Sequence, residues 1–315
     1  SNDIIIVENL AKKYKNIMAL ENINLRVMKK DIHGFLGPNG AGKTTTIKIL
    51  ATLLYPDRGK AYIEGFDVVK DYKRVRELIG VLFQGISLDE MLTVEENLYL
   101  YGKIHGVKSS ELKKKVSEVL SRFNIESLKG RFVRTLSLGQ KRLVQLARLF
   151  ILDRDIIMLD EPTANLDPHM RKTVWEIIRE LNKKEGKTFF ISTHYIHEAE
   201  FLCNSVTIIN RGITVASGKP VDFKNKIGMF SLEISTFKSY EDNKRILEDL
   251  KIHYNIKEGY ATITSIVLIS NAEDLLRRIA LENIMLGNFN IRPLSLEDVF
   301  LISTGKSYWE AWKYE

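Results

Sequence analysis

Cysteine is nearly absent from this sequence: Cys203 is the only one among 315 residues. A single thiol closes no internal disulfide, so nothing in the chain calls for an oxidising compartment. Long apolar runs are missing too. No stretch approaches the roughly 18 consecutive apolar residues that a membrane-spanning helix needs. Ser1-Asn2-Asp3 begins no basic-then-apolar leader. The expectation is a cytoplasmic chain whose link to any membrane runs through a partner. No internal repeat and no low-complexity linker is present.

What is there is ordinary for a globular protein: 44% apolar and 28% charged residues, with a formal net charge of +7. The length predicts one large and one small domain. The positive balance suits a polyanionic ligand or an anionic membrane surface, and a lysine-biased solvated surface accounts for it equally. Lys113-Lys114-Lys115, after Ser109-Ser110-Glu111, reads as an exposed helix face.

Residues 1–220 read as one α/β domain, because continuous apolar runs alternate with amphipathic helices, the pattern of a buried and largely parallel sheet. Ile156-Ile157-Met158-Leu159 and Thr188-Phe189-Phe190-Ile191 are predicted strands. Between them Asp167 is placed to cap a helix, Pro168 to open it, and Gly186 to stop it. Val174, Ile177, Ile178 and Leu181 make its apolar stripe. Residues 86–150 become helical, with Thr93-Val94-Glu95-Glu96 as a capping box, and read as an insertion. Residues 206–215 predict a hairpin about Asn210-Arg211-Gly212. Residues 221–315 predict a small α+β domain of split βαβ type, with strands at 230–236, 261–268 and 288–291 and helices at 240–250 and 272–282.

Gly37-Pro38-Asn39-Gly40-Ala41-Gly42-Lys43-Thr44 matches the phosphate-binding pattern G-x-x-x-x-G-K-[ST] in full. It follows an apolar stretch, residues 32–36, and precedes a predicted helix with Ile47, Leu50 and Leu54 on one face, the strand–loop–helix context the motif requires. Glycines let backbone N–H groups turn toward phosphate oxygens, and the helix N-terminus adds favourable dipole charge. Lys43 is expected at the β- and γ-phosphates and the Thr44 hydroxyl at Mg²⁺, with Thr45 completing the nucleotide contacts.

Asp160-Glu161 ends the predicted strand 156–159. A carboxylate at the C-terminal end of a parallel strand, beside a phosphate loop, is placed to hold Mg²⁺, and Asp160 is the candidate. Glu161 can then deprotonate the attacking water as general base. Ser137 and Gln140 have capping-box spacing and mark a second helix N-terminus able to face an anion.

With these motifs in this order, the first 220 residues resemble the ABC ATPases, a P-loop NTPase fold with a helical subdomain. The resemblance implies ATP as ligand and substrate, with Mg²⁺. Tyr14 looks like the aromatic that stacks on adenine, although a lone aromatic near an N-terminus also serves as core or surface. Gln84 looks like the glutamine that links Mg²⁺ and the attacking water to a transmembrane partner. Leu136-Ser137-Leu138-Gly139-Gln140 looks like the signature motif, with Leu138 where glycine is common. Asp167, in Asn165-Leu166-Asp167, looks like part of the loop that contacts the opposite subunit, and His194 like the switch histidine at the γ-phosphate. A metal held by His194, His197 and Glu198 is the rival reading of that histidine. In this family the signature of one subunit completes the site of another. The resemblance therefore implies a dimer, of identical chains or with a paralogue.

Between Lys43 and Asp160 there is room for the helical insertion but not for the long coiled coil of chromosome-maintenance relatives, and translation-factor relatives carry two motif sets per chain. Asp160-Glu161-Pro162-Thr163, Asp167-Pro168, Arg171 and the late segment Pro293-Leu294-Ser295-Leu296-Glu297-Asp298-Val299-Phe300-Leu301 resemble the drug-resistance (daunorubicin-type) exporters. A plain capped helix explains that late segment as well. The resemblance implies an exporter subunit at the cytoplasmic face of a membrane, bound to an integral-membrane permease, with no direct nucleic-acid contact. The alternative is a soluble mechanochemical ATPase acting on nucleic acid or ribosomes. Trp309 and Trp312 share one helical face in the aromatic end of the chain, suited to packing on the parent domain or to contact with a partner or a membrane interface.

Overall fold

A computed structural model describes residues 2–226, the strand residues 230–235, 253–256, 262–267 and 289–293, and Arg277 and Leu296. The chain divides into two compact units, Ser1–Ser217 and Gly218–Glu315.

The first unit is built on a ten-stranded sheet in the order β5-β4-β1-β2-β10-β9-β3-β8-β7-β6. Its strands are β1 Asp3–Tyr14, β2 Ile17–Met28, β3 Ile32–Leu36, β4 Arg58–Ile63, β5 Phe66–Asp67, β6 Ile79–Leu82, β7 Ile156–Asp160, β8 Thr188–Thr193, β9 Ser205–Asn210 and β10 Ile213–Gly218. Strands β9, β3, β8, β7 and β6 pair in parallel, whereas β2, β1, β4 and β5 form an antiparallel wing. Every residue of β3, β7 and β8 is buried. Helices cover both faces of a parallel sheet, which is why these strands are continuous apolar runs. Phe35, Phe189 and Phe190 have no exposed surface, and the rings of Phe35 and Phe190 lie 5.3 Å apart.

Local chemistry sets the helix ends. Helix α6, Pro168–Glu185, starts where the Asp167 carboxylate accepts from Met170 N at 3.0 Å, and stops at Gly186 with φ 67°. Helix α1, Lys43–Leu50, is shorter than the pattern suggests. Ala51 caps it, Thr52 turns left-handed at φ 61°, and Leu54 packs on the core from beyond the helix. Helix α2, Tyr72–Leu78, leads into β6, and α7, Ile196–Leu202, follows β8. The helical block contains α3 Val94–Ile104, α4 Ser109–Arg122 and α5 Leu138–Leu149, and the Thr93–Glu96 capping box is formed. Lys113 and Lys114 are exposed on α4.

The hairpin β9–β10 turns at Arg211 (φ 48°) and Gly212 (φ 74°), two positive angles as a type I′ turn demands. Gly212 N donates to Ala41 O at 3.0 Å, and Gly212 O accepts from Glu21 N at 2.8 Å, so this turn braces the loop after β3.

In the second unit α8, Pro220–Lys226, precedes a four-stranded antiparallel sheet, order β12-β13-β11-β14: β11 Phe230–Ser235, β12 His253–Ile256, β13 Thr262–Val267 and β14 Phe289–Pro293. The sequence reading omitted β12, a four-residue strand too short to show alternation. With it, the order is that of a split βαβ sheet. The helix expectations at 240–250 and 272–282, most of the late segment 293–301 and the aromatic end 308–314 lie outside the described residues. Among the described residues, no helix is long and apolar enough to cross a membrane.

Candidate active site

Strand β3 ends at Leu36 and α1 begins at Lys43, so the residues predicted to bind phosphate form a tight connection at the carboxyl edge of the sheet. Its glycines are required by space and by backbone. A Cβ on Gly37 would lie 2.6 Å from Ile209 O, and Gly42 has φ 107°. Asn39 and Gly40 are exposed, Ala41 is buried, and Gly42, Thr44 and Thr45 are half-buried. Lys43 is buried, and its ammonium donates to Gly37 O at 2.9 Å and Pro38 O at 3.0 Å. These carbonyls keep the cation folded over the loop.

Asp160, the last residue of β7, accepts from Thr44 Oγ1 at 2.8 Å through one oxygen and from Ser192 Oγ through the other. Parallel pairing of β7 with β8 brings Ser192 opposite Asp160. Glu161 then leaves the strand with φ 49°, a left-handed angle that costs about 1 kcal/mol or more for a non-glycine residue. Its amide donates to Ser192 O at 3.1 Å. Its carboxylate gathers three groups: Lys43 Nζ at 3.2 Å, His194 Nδ1 at 3.0 Å and Gln84 Nε2 at 3.4 Å. Burial pushes the Glu161 carboxyl up, but the hydrogen bond to His194 and the Lys43 charge outweigh it. The group ends below its ordinary value and is ionised at neutral pH.

Gln84 lies in the exposed loop after β6, which is held from behind by α5. Arg142 donates to Phe83 O at 3.3 Å and Gln84 O at 2.7 Å, Gln145 to Gly85 O at 2.9 Å, and Arg148 to Ser87 O at 2.6 Å. Sequence reasoning missed these three, as it missed Ser192. Their one signal is the three-residue spacing that sets Arg142, Gln145 and Arg148 along one side of the helix.

Ser137 caps α5: its hydroxyl accepts from Gln140 N at 3.2 Å while Gln140 Oε1 accepts from Ser137 N at 3.1 Å. Leu138 is exposed, and Gly139 packs against α6, where an added Cβ would lie 2.7 Å from Met170 Cγ. Among the described residues, no hydrogen bond joins Ser137, Gly139 or Gln140 to the phosphate loop. Nor does one join Asp167, whose side chain caps α6. Tyr14, at the end of β1, is exposed. One chain thus brings together Lys43, Thr44, Gln84, Asp160, Glu161 and His194, and leaves the signature residues apart. The rival metal reading of the histidines fails: His197 is exposed, whereas Glu198 is fully buried and accepts from Thr163 and Trp175. Among the described residues, no cluster of histidine, cysteine and acidic side chains can hold a metal.

Comparison with known proteins identifies the family. Residues 20–164 match the family model described as ABC transporter. The chain is 32% identical over 303 residues to the daunorubicin/doxorubicin resistance ATP-binding protein DrrA of Streptomyces peucetius, covering 94% of this chain and 91% of that one. It is 33% identical over 311 residues to the Nod factor export ATP-binding protein I of Ralstonia nicotianae, covering 97% and 95%. Among solved structures, a dimeric ATP-binding cassette in a post-hydrolysis state, bound to ADP and Pi, superposes with TM-score 0.62 at 28% identity, covering 68% of this chain and 98% of that one. A phosphate loop beneath an ionised glutamate and two nearly full-length relatives lead to one conclusion: the chain belongs to the ABC transporter family, as one of its ATP-binding, ATP-hydrolysing subunits.

Proposed function

We propose that this chain powers export through a separate integral-membrane permease, seated at the cytoplasmic face of the membrane, and that its unit of work is a pair of ATPase subunits. The observation that carries the chemistry is the meeting of Lys43, Gln84 and His194 on the carboxylate of Glu161. Glu161 takes the proton of the attacking water. Lys43 leaves its loop carbonyls for the β- and γ-phosphates, and His194 meets the γ-phosphate while orienting Glu161. Tyr14, Gly37, Asn39, Gly40, Ala41, Gly42 and Thr45 bind the rest of the nucleotide. Ser137, Gly139, Gln140 and Asp167 serve the site of the second subunit, since their own chain does not bring them to its phosphate loop. The dimeric relative bound to ADP and Pi and the resistance and export roles named for the two relatives support this reading.

Thr44 and Asp160 present hard oxygen donors 2.8 Å apart beside the phosphate loop, a set that fits Mg²⁺, with Gln84 as a further donor. When bound, Mg²⁺ would neutralise charge on the β- and γ-phosphates. In the full-length chain, Glu161→Gln is expected to bind ATP normally and to lower hydrolysis by about 10²–10⁴-fold. Undiminished hydrolysis sinks the assignment. With the co-purified permease in vesicles, the same variant should stop cargo export, and continued export would exclude the motor role.

A further inference from the structure

Glu198 is a fully buried acid that takes no part in the proton transfer assigned to Glu161. It lies on α7, just past His194. Its Oε1 accepts from Thr163 Oγ1 at 2.6 Å and from Trp175 Nε1 at 2.7 Å. Thr163 belongs to the turn that leaves Glu161, in which Ala164 N bonds back to Glu161 O at 3.2 Å. Trp175 stands on α6, the helix capped by Asp167. Thr193, the neighbour of His194, accepts from Tyr195 N at 3.0 Å and lies near the same carboxyl group, helping to hold down a pKa that burial raises overall. Arg171, also on α6, adds its charge to the cluster and stacks 4.3 Å from the Tyr195 ring.

Burying a carboxyl group, charged or neutral, costs free energy that an apolar side chain of similar volume would not, so stability alone is a poor reason for an acid here. The three elements that meet on it are the ones that carry Glu161, His194 and Asp167. We propose that Glu198 is a positioning residue for hydrolysis, tying the turn after Glu161 to the strand end before His194 and to α6. The tie holds the carboxylate and the imidazole at their 3.0 Å contact. This rests on the reading of Glu161 as general base. Misplacement by about 1 Å lowers a rate by up to about 10²-fold, so the tie acts on kcat and leaves nucleotide affinity alone.

The test is steady-state hydrolysis of MgATP by the full-length chain, with melting as a check of folding. Glu198→Ala is expected to lower kcat about 10- to 100-fold with KM within about threefold. Glu198→Gln, which keeps a carbonyl oxygen for Thr163 and Trp175, is expected to restore kcat to within about threefold. Wild-type kcat in folded Glu198→Ala overturns the proposal, as does Glu198→Gln performing no better than Glu198→Ala. If Glu198→Ala does not fold, Thr163→Val and Trp175→Phe decide, each deleting one donor at nearly constant volume. A several-fold fall in kcat at unchanged KM supports the tie, and wild-type kcat in both overturns it. Glu161→Gln run in parallel separates the two readings. If it abolishes hydrolysis while the Glu198 set stays at wild-type kcat, only the positioning inference fails. If it hydrolyses ATP at full rate, the base assignment fails.

Discussion

His194 Nδ1 stands 3.0 Å from Glu161 Oε2, and this contact is the leading influence holding the Glu161 carboxyl down against its burial. In the wild type the acid limb of kcat/KM, which reports the chain before ATP binds, is therefore expected below the ordinary carboxylate value of 4.5. Removing the imidazole leaves burial less opposed, and burial raises a carboxyl pKa. His194→Ala is expected to lower kcat by about 10²-fold and to move that limb to higher pH. A pH profile of kcat/KM for both proteins measures it. An acid limb that stays in place means His194 does not tune Glu161.

Thr44 Oγ1 and Asp160 share a 2.8 Å hydrogen bond, and the proposed function makes the two ligands of one ion. Thr44→Val removes the hydroxyl and leaves the loop backbone. ATP binding in EDTA should be unchanged, while Mg²⁺-dependent hydrolysis falls about 10- to 100-fold, as for loss of a metal-orienting group. Titration of Mg²⁺ against rate is the measurement. An unchanged half-saturating Mg²⁺ concentration would remove Thr44 from the metal site.

Ser137 spends its hydroxyl on capping α5, and Ser137→Ala should cost about 1 kcal/mol of stability through the lost cap. If the second subunit reads this N-terminus, the effect on assembly is larger. In a Glu161→Gln background, ATP-induced dimers measured by light scattering should weaken about tenfold or more, because a charge-assisted bond to phosphate is lost. ATP affinity of the monomer should hold. Dimerisation at the wild-type ATP concentration would rule out a site shared between subunits.

His33 is fully buried between Ser205 Oγ at 2.6 Å and Thr207 Oγ1 at 2.9 Å, and burial lowers its pKa to about 3. The unfolded chain takes up this proton near the ordinary value of 6.5, the folded chain only near 3. The contribution of His33 to stability is therefore fully present above about pH 6.5 and is lost as pH falls toward 3, at about 1.4 kcal/mol per pH unit. His33→Gln keeps a donor and an acceptor but no titration. Its melting temperature should fall less between pH 7 and pH 5 than that of the wild type. Parallel curves would show that His33 is not the group responsible.

The phosphate loop, the acidic pair, both capping boxes and the Asp167–Gly186 bounds of α6 were legible from residue order alone. Each is decided within a few residues, by a left-handed φ that glycine tolerates, by a cap that reaches three residues on, or by a run of apolar side chains. The helix carrying Ile47 was read too long because Leu54 keeps the apolar period after Thr52 has already broken the backbone. Strand β12 was missed because four residues carry too little pattern.

The tertiary structure decided what meets Glu161. Lys43, Gln84 and His194 come from three different strand ends, and only the parallel order β3-β8-β7-β6 sets those ends side by side. The grip of Arg142, Gln145 and Arg148 on the Gln84 loop, and the burial of Glu198 among Thr163, Trp175 and Thr193, arise in the same way. Such contacts join residues far apart in the chain, and no local period encodes them. The sequence by itself determined which chemistry the loop and the acids can perform. Packing of the sheet determined which groups stand within 3.4 Å of the carboxylate to control it.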